Sequence, residues 1–192
     1  KGFCPSFVTV RGGRLRSPEP ASGEGAGVTE MLPRPALPEL DDRYGMVITG
    51  VGGTGVVTIG ALLGMAAHIE GKGCSVLDMT GLAQKGGAVV SHVRLASNPE
   101  AIHAAHLSTG AADVLLGADL VVAAGRHTLD AVREGRTRAV VNSHETPTGD
   151  FTYNPDYTFP DADLRRTVAD AVGGDRVEFL DATRLATALL GD

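Results

Sequence analysis

A doubly wound α/β domain with a mostly parallel, Rossmann-like sheet is the fold class that this sequence predicts, preceded by an extended Pro/Gly-rich segment. From Tyr44 onward, short runs of consecutive apolar residues alternate with helical stretches, which is typical of a parallel sheet covered on both faces. A glycine cluster at residues 50–55 separates the first strand from the first helix. Six of the ten prolines lie before that point. We therefore expect an extended linker over residues 1–43 and one α/β domain over residues 44–192, both part of a longer chain.

Each element follows from the period of its apolar residues and from the residues that bracket it. The first strand ends at Gly50, and the first helical pattern ends where Gly71 and Gly73 follow. The predicted strands are 46–49, 75–77, 88–95, 120–123, 139–141 and 177–180. The predicted helices are 56–69, a stretch around 111–116, 128–133, 164–172 and 183–190. Residues 7–10 predict a short isolated strand and residues 144–160 an irregular loop.

Composition excludes several classes of function. The chain has 192 residues, of which 43% are hydrophobic and 21% charged, as in ordinary soluble proteins. A net charge of -6 argues against binding to nucleic acid or to an anionic membrane. No apolar run approaches the roughly 18 residues of a membrane-spanning helix. With two cysteines and no secretory signal, we expect a reducing compartment and a cytoplasmic location.

The glycine cluster Gly50-Val51-Gly52-Gly53-Thr54-Gly55 has the spacing G-x-G-x-x-G between a predicted strand and a predicted helix. In this pattern the first glycine allows the tight turn, the second lets the backbone approach a phosphate, and the third lets the helix pack near the strand. The helix start offers N–H groups and a positive dipole end to an anion. Together with Asp78, a candidate ribose ligand, the cluster is compatible with an NAD(P)- or FAD-binding oxidoreductase domain. The alternative is a tightly packed turn in a structural interface domain that binds no small molecule.

A second glycine-rich loop, Gly81-Leu82-Ala83-Gln84-Lys85-Gly86-Gly87, directly follows the second predicted strand. Ordinary nucleotide-binding domains do not need a polar loop at this point. Its Gln84 and Lys85 are candidates to approach a ligand or a neighbouring chain. The alternative interpretation is a surface turn with a solvated lysine.

These two motifs, with Ser91-His92-Val93-Arg94 after them, resemble the gamma-type domain of 2-oxoacid:ferredoxin oxidoreductases, above all that of the long, fused indolepyruvate ferredoxin oxidoreductases. Residues 112–117 and 186–192 also fit the pattern. The opening residues 1–8 look like the segment that ends the family's cysteine-rich region. Residues 14–43 are the only stretch without a match.

The resemblance implies oxidative decarboxylation of a 2-oxo acid to an acyl-CoA, with thiamine diphosphate and [4Fe-4S] clusters held mainly by other domains and ferredoxin as electron acceptor. This chain would pack on those domains or subunits, in an oligomer, and would be inactive alone. Its glycine loop, residues 50–55, would lie near coenzyme A. Gly50, Gly52, Gly53, Thr54 and Gly55 would then form the phosphate-binding turn, with Gln84 and Lys85 nearby. Under this reading no residue of the chain is itself catalytic.

Cysteines and histidines add one candidate metal ligand. By the resemblance, Cys4 matches the last cysteine of the cysteine-rich region and would ligate a cluster whose other thiolates lie outside this sequence. Cys74 is expected to be a small buried hydrophobe. His103 and His106 are three residues apart, without a third ligand nearby, so we expect surface histidines rather than a metal site. For His92, within a strand, we expect a structural role with its hydrogen bonds satisfied.

Overall fold

A computed structural model describes residues 43–81, 87–144 and 159–190, together with Gly12, Pro33 and Leu40. The chain divides into two compact units, Pro35–Arg184 and a second unit of Lys1–Arg34 with Leu185–Asp192. Of the second unit, only residues 185–190, Gly12 and Pro33 are described. The predicted strand 7–10, most of the predicted linker and most of the predicted loop 144–160 lie outside the described residues. The division into residues 1–43 and 44–192 therefore stays a prediction.

The described elements form a six-stranded sheet with flanking helices. In chain order the elements are β1 Tyr44–Val51, α1 Val56–Ile69, β2 Gly73–Thr80, β3 Ala88–Ala96, β4 Val114–Gly117, α2 Leu120–Ala123, α3 Arg126–Leu129, β5 Arg138–Asn142, α4 Asp161–Val172, β6 Val177–Leu180 and α5 Ala182–Leu190. The strand order is β2-β3-β1-β4-β5-β6. The pairs β1–β4, β4–β5 and β5–β6 are parallel, whereas β3 runs antiparallel to both of its neighbours. The predicted α/β class and the mostly parallel sheet are confirmed.

The centre of the sheet is buried on both faces, because alternate residues of β1 enter two separate cores. Met46 and Ile48 pack with Val56 and Val93 in the core beneath α1. On the opposite face, Val47 belongs to the larger core that includes α2 and α4. This two-sided burial explains why the strands appear in the sequence as continuous apolar runs.

One pair of predicted elements is reversed. The stretch predicted as helix around 111–116 contains β4, and the predicted strand 120–123 is helix α2. The cause is Asp119, which is buried and whose side chain accepts a hydrogen bond from the N–H of Val122 (2.9 Å), capping the first turn of α2. Helix α3 is also shorter than the predicted 128–133 and begins two residues earlier. The other predicted strands and helices are confirmed to within three residues at each end.

Within the described ranges, no helix is long and apolar enough to cross a membrane.

Candidate functional site

The candidate site lies at the carboxyl edge of the sheet, where the chain path changes direction. From β1 the chain crosses through α1 towards β2, whereas from β3 it continues to β4 on the other side of β1. The carboxyl ends of β1 and β4 therefore flank a switch point, the position at which open α/β sheets bind ligands. The predicted glycine turn, residues 50–55, follows β1 at this position.

Three of the four glycines of this turn are required by its geometry. A Cβ on Gly50 would lie 3.1 Å from the Cβ of Ala118 and would overlap the hydroxyl of Thr54. Gly53 and Gly55 have φ values of +103° and +84°, in the left-handed region that favours glycine. Gly55 precedes the first residue of α1. The sequence motif therefore forms the sharp strand-to-helix turn that its spacing predicts.

Two of the backbone N–H groups in the turn are already used. Gly52 donates to the carbonyl oxygen of Gly87 (2.8 Å), and Thr54 donates to that of Val51 (3.0 Å). The Thr54 hydroxyl also donates to the Val51 carbonyl (2.7 Å). The Gly52–Gly87 bond joins the two glycine motifs, which are far apart in the sequence. It also means that Gly52 itself has no N–H left for a phosphate.

Other backbone N–H groups, in the glycine turn and at the start of α1, remain available as hydrogen-bond donors. Among the described residues no hydrogen-bond acceptor is found for the N–H groups of Gly53, Gly55, Val56, Val57 and Thr58. These groups lie around a hollow of about 270 Å³. Free N–H groups in the first turn of a helix are the arrangement that binds anions.

The second glycine motif forms the connection between two paired strands. The register of β2 and β3 runs up to Thr80 opposite Val89, and Gly81 donates to the Ala88 carbonyl (3.4 Å). The strand ends that the motif joins thus lie at the same edge of the sheet as the glycine turn. Gln84 and Lys85 lie outside the described residues, as does Cys4.

Asp78 does not take the place of a dinucleotide's ribose ligand. In a Rossmann sheet the strand after the first helix pairs directly with the first strand. Here β3 lies between β1 and β2, so the strand that carries Asp78 is two spacings, roughly 10 Å, from β1. The Asp78 carboxylate is on the face of the sheet that α1 covers, 3.8 Å from a Cβ added at Gly60.

Asn142 is a site residue that the sequence did not single out. Its side-chain N–H groups donate to the carbonyl of Ala118 (3.2 Å) and to the Thr183 hydroxyl (3.1 Å), and its oxygen accepts from the N–H of Ala182 (3.0 Å). It ties the loop after β4 to the start of α5. The sequence feature that could have identified Asn142 is its position as the polar residue directly after the apolar run 139–141.

A groove of about 660 Å³ lies on the face of the sheet opposite α1. Met79 of β2 and Val90 of β3 face it, and α2 and α3 contribute its far side. His92 lines the groove and is 2% exposed. Its Nδ1 accepts a hydrogen bond from the N–H of Leu107 (2.9 Å), but its Nε2 has no partner among the described residues. The expectation of a structural histidine with both nitrogens satisfied is therefore only half right.

The environment of His92 keeps the ring neutral. Burial lowers the pKa of His92 to about 4, and the nearby His106 and Arg94 act in the same direction. His106, expected at the surface, is exposed, and its ring lies 4.5 Å from that of His92 between centroids. Because Leu107 donates to Nδ1, the proton of the neutral ring is on Nε2.

The low pKa of His92 predicts acid sensitivity. The unfolded histidine binds a proton near pH 6.5 and the folded one only near 4, so the free energy of unfolding falls as the pH falls through this window. Between neutral pH and pH 5 we expect His92 to account for a loss of about 2 kcal/mol. Urea unfolding across this range measures it. His92→Asn keeps an acceptor for Leu107 without titrating, so equal pH slopes for the two proteins would contradict the assignment.

The remaining candidates do not form a metal site. In the portion of the chain that is described, no group of three His, Cys, Asp or Glu side chains could hold a metal ion. His103 is exposed, and the Nδ1 of His144 lies 3.7 Å from a carboxylate oxygen of Asp181. Cys74 is a free, half-buried thiol in β2, and burial raises its pKa. The expectation of a small hydrophobe at Cys74 agrees with this placement.

Helix α1 presents an uncovered apolar face, here called the α1 face and defined by Val57, Leu62, Met65 and Ile69. The last three are 65%, 58% and 76% exposed. The opposite side of the helix packs on the sheet through Val56, Ile59, Gly60, Leu63 and Ala67. No Asp, Glu, Lys or Arg occurs anywhere in α1. An amphipathic surface helix normally turns charged residues to the solvent, so this face has the character of a contact surface.

Fold and site define a class: a Rossmann-like α/β domain with a glycine turn at its switch point and an uncovered apolar helix beside it. The chain belongs to the pyruvate ferredoxin/flavodoxin oxidoreductase family, whose model matches residues 45–191. This confirms the family resemblance predicted from the two glycine motifs.

A relative of similar sequence agrees with this assignment, and solved structures share the fold. The chain is 32% identical over 145 residues to indolepyruvate oxidoreductase subunit IorB of Thermococcus kodakarensis, covering 75% of this chain and 68% of the relative. It resembles the pyruvate oxidoreductase subunit PORC of Thermotoga maritima (TM-score 0.50, 18% identity, 76% of this chain and 65% of that one). A similar likeness is found to 2-oxoglutarate:ferredoxin oxidoreductase from Magnetococcus marinus (TM-score 0.52, 15% identity, 78% of this chain and 21% of that one). The two structural matches concern the fold alone.

Proposed function

We propose that this chain is the gamma-type domain of a thiamine diphosphate-dependent, indolepyruvate-type 2-oxoacid:ferredoxin oxidoreductase, which converts a 2-oxo acid to an acyl-CoA. The observation that carries the proposal is the α1 face, an uncharged and exposed surface next to the glycine turn. Its occupant would be the thiamine-binding part of the enzyme. Cytoplasmic location, oligomeric assembly and ferredoxin as electron acceptor belong to the same proposal. Its test is indolepyruvate- and CoA-dependent ferredoxin reduction by the complex purified through a tag on this chain.

The cofactors of the reaction would be held mainly outside this chain. An iron–sulfur cluster needs about four thiolates, and the only described cysteine, Cys74, is half-buried in β2. Cys4 is proposed as one ligand of a [4Fe-4S] cluster that other parts of the enzyme complete. When bound there, the clusters carry electrons one at a time. The chain's own contribution is to position the partner surfaces and the co-substrate.

That contribution would include one contact with coenzyme A. The N–H groups around Gly53, Gly55 and the start of α1 would donate to a CoA phosphate, with Thr54 holding the turn. Gln84 and Lys85, in the segment between β2 and β3, would also approach the phosphate. Gly52 would act indirectly, through its bond to Gly87.

A proline at position 57 should weaken the use of CoA. Val57 lies in the first turn of α1, where proline is tolerated and removes an N–H without an intrahelical partner. The proline also restricts the backbone of Val56, the first residue of the helix. Loss of one hydrogen bond to a charged phosphate should raise the KM for CoA about tenfold, with kcat little changed. Steady-state kinetics of the assembled enzyme measure both constants. Val57→Ala loses the side chain but keeps the N–H, so a similar KM for the two variants would contradict the contact.

Two alternative functions predict different results in binding experiments. An NAD(P)-binding domain would show saturable NAD(H) binding by calorimetry, although the interposed strand β3 and the position of Asp78 disfavour it. A purely structural interface domain would bind neither CoA nor NAD(H) and would still depend on the α1 face for assembly.

A further inference from the structure

The groove on the face opposite α1 has the features of a second binding site. Its volume of about 660 Å³ is within the range of small-molecule sites. It shares no lining residue with the hollow at the glycine turn. The walls are apolar, with Met79, Val90, Leu107 and Val122 among them. A molecule that fills it must therefore bring an apolar body.

A hydrogen-bond donor without a partner lies in the wall of this groove. The neutral His92 ring accepts from Leu107 at Nδ1 and carries its proton on Nε2, for which no acceptor is found among the described residues. Buried donors are nearly always paired, because an unpaired one loses its bond to water without replacement. The only ring found against His92 in the described structure is that of the exposed His106, tilted by 47°, and exposed side chains change rotamer readily.

The rim carries two exposed charged side chains, and one of them is the carboxylate of Asp130. The other is Arg126, at the start of α3. It forms no ion pair with any residue in the described part of the chain, whereas Arg136 and Arg165 each pair with an aspartate. A guanidinium at the mouth of an apolar groove favours a ligand with a carboxylate at one end.

We propose that this groove binds a small monocarboxylic acid with an aromatic or branched apolar body. The body lies against Met79 and Val90, the carboxylate pairs with Arg126, and an oxygen of the ligand accepts from Nε2 of His92 after the His106 ring turns aside. The site is independent of the proposed contact with CoA, and its failure would leave that proposal unaffected.

A series of three matched probes tests the contribution of the terminal charge while the apolar body stays constant. 4-Phenylbutyrate, 4-phenylbutanamide and 4-phenylbutylamine share the same apolar part and differ in the terminal group. We expect saturable binding of the carboxylate to the full chain, at least about fivefold tighter than that of the amide or the amine, in NMR titrations up to about 10 mM. The Nε2–H signal of His92 should shift on saturation. Absence of saturable binding, or equal binding of the three probes, would overturn the proposal.

Variants separate this site from non-specific adsorption. Arg126→Gln should weaken carboxylate binding about fivefold and leave amide binding unchanged, while Arg138→Gln, at another exposed arginine, should do neither. His106→Ala should bind the carboxylate at least as well as the original chain. His92→Asn keeps the acceptor for Leu107 and loses Nε2–H, so its binding should be weaker. Unchanged binding in Arg126→Gln or in His92→Asn would refute the assigned contacts.

Discussion

Replacing both Leu62 and Met65 by lysine should prevent this chain from assembling with the proposed thiamine-binding part of the enzyme. Both side chains are exposed on the α1 face, so the change costs the isolated domain little stability. In the assembly each would be buried, and burial of a Leu or Met side chain is worth roughly 1.5–3 kcal/mol. Two buried, unpaired ammonium groups add a further penalty. We expect at least a hundredfold weaker association by analytical ultracentrifugation, with loss of 2-oxoacid-dependent ferredoxin reduction.

The matched control places two lysines on α4 instead. Ala162→Lys/Thr167→Lys changes exposed positions of a helix that already carries several charges, so assembly and activity should stay as in the unaltered enzyme. The unaltered chain without its partners should show no 2-oxoacid-dependent dye reduction. If the Leu62→Lys/Met65→Lys enzyme assembles normally, the α1 face is not the docking surface. Activity of the chain alone would contradict the division of labour itself.

Replacing Thr137 by valine should lower the stability of the domain by about 3 kcal/mol. Thr137 is fully buried, and its hydroxyl donates to the Ala112 carbonyl (2.7 Å) while accepting from the N–H of Arg133 (2.9 Å). Valine has nearly the same shape, so the change removes both hydrogen bonds and leaves the two backbone groups without their partner. For a chain of this size the expected fall in Tm is roughly 6–12 °C.

Urea unfolding of Thr137→Val and Thr137→Ser measures this contribution. Serine keeps the hydroxyl and loses one methyl group, so it should cost roughly 1 kcal/mol. A shift of the midpoint at constant slope would show that the native contacts alone changed. Equal losses for the two variants would mean that the methyl group, and not the hydroxyl, is responsible.

How far the fold could be predicted depends on how local its determinants are. Helix α1 was predicted with its observed ends, because the glycine turn precedes it and Gly71 follows it. The sequence predicts a helix around 111–116 and a strand over 120–123, whereas the structure has a strand at 114–117 and a helix at 120–123. Both segments are short apolar runs, and periodicity does not distinguish helix from strand in such runs. The position of β3 between β1 and β2 depends on pairing over long separations, for which the linear sequence holds no direct signal.

The same division applies to the candidate site. The turn formed by Gly50, Gly53 and Gly55 was visible in the sequence, because only glycine accepts its close contact and its positive φ values. The sequence does not indicate the roles of Asn142 and Asp119, because a single polar residue beside an apolar run also occurs in ordinary loops. The role of His92 depends on Leu107 and His106, which reach it only in the folded chain.

The uncharged sequence of α1 has a consequence for how such a protein is made in the cell. A copy released from the ribosome without its partners exposes Leu62, Met65 and Ile69 together, and exposed apolar patches of this kind promote aggregation. Under the proposed function, partner surfaces must therefore be present in matching amounts when the domain folds. Synthesis in one polypeptide, or from one messenger, would guarantee that stoichiometry. Helix α1 would thus tie the production of this domain to that of the proposed enzyme.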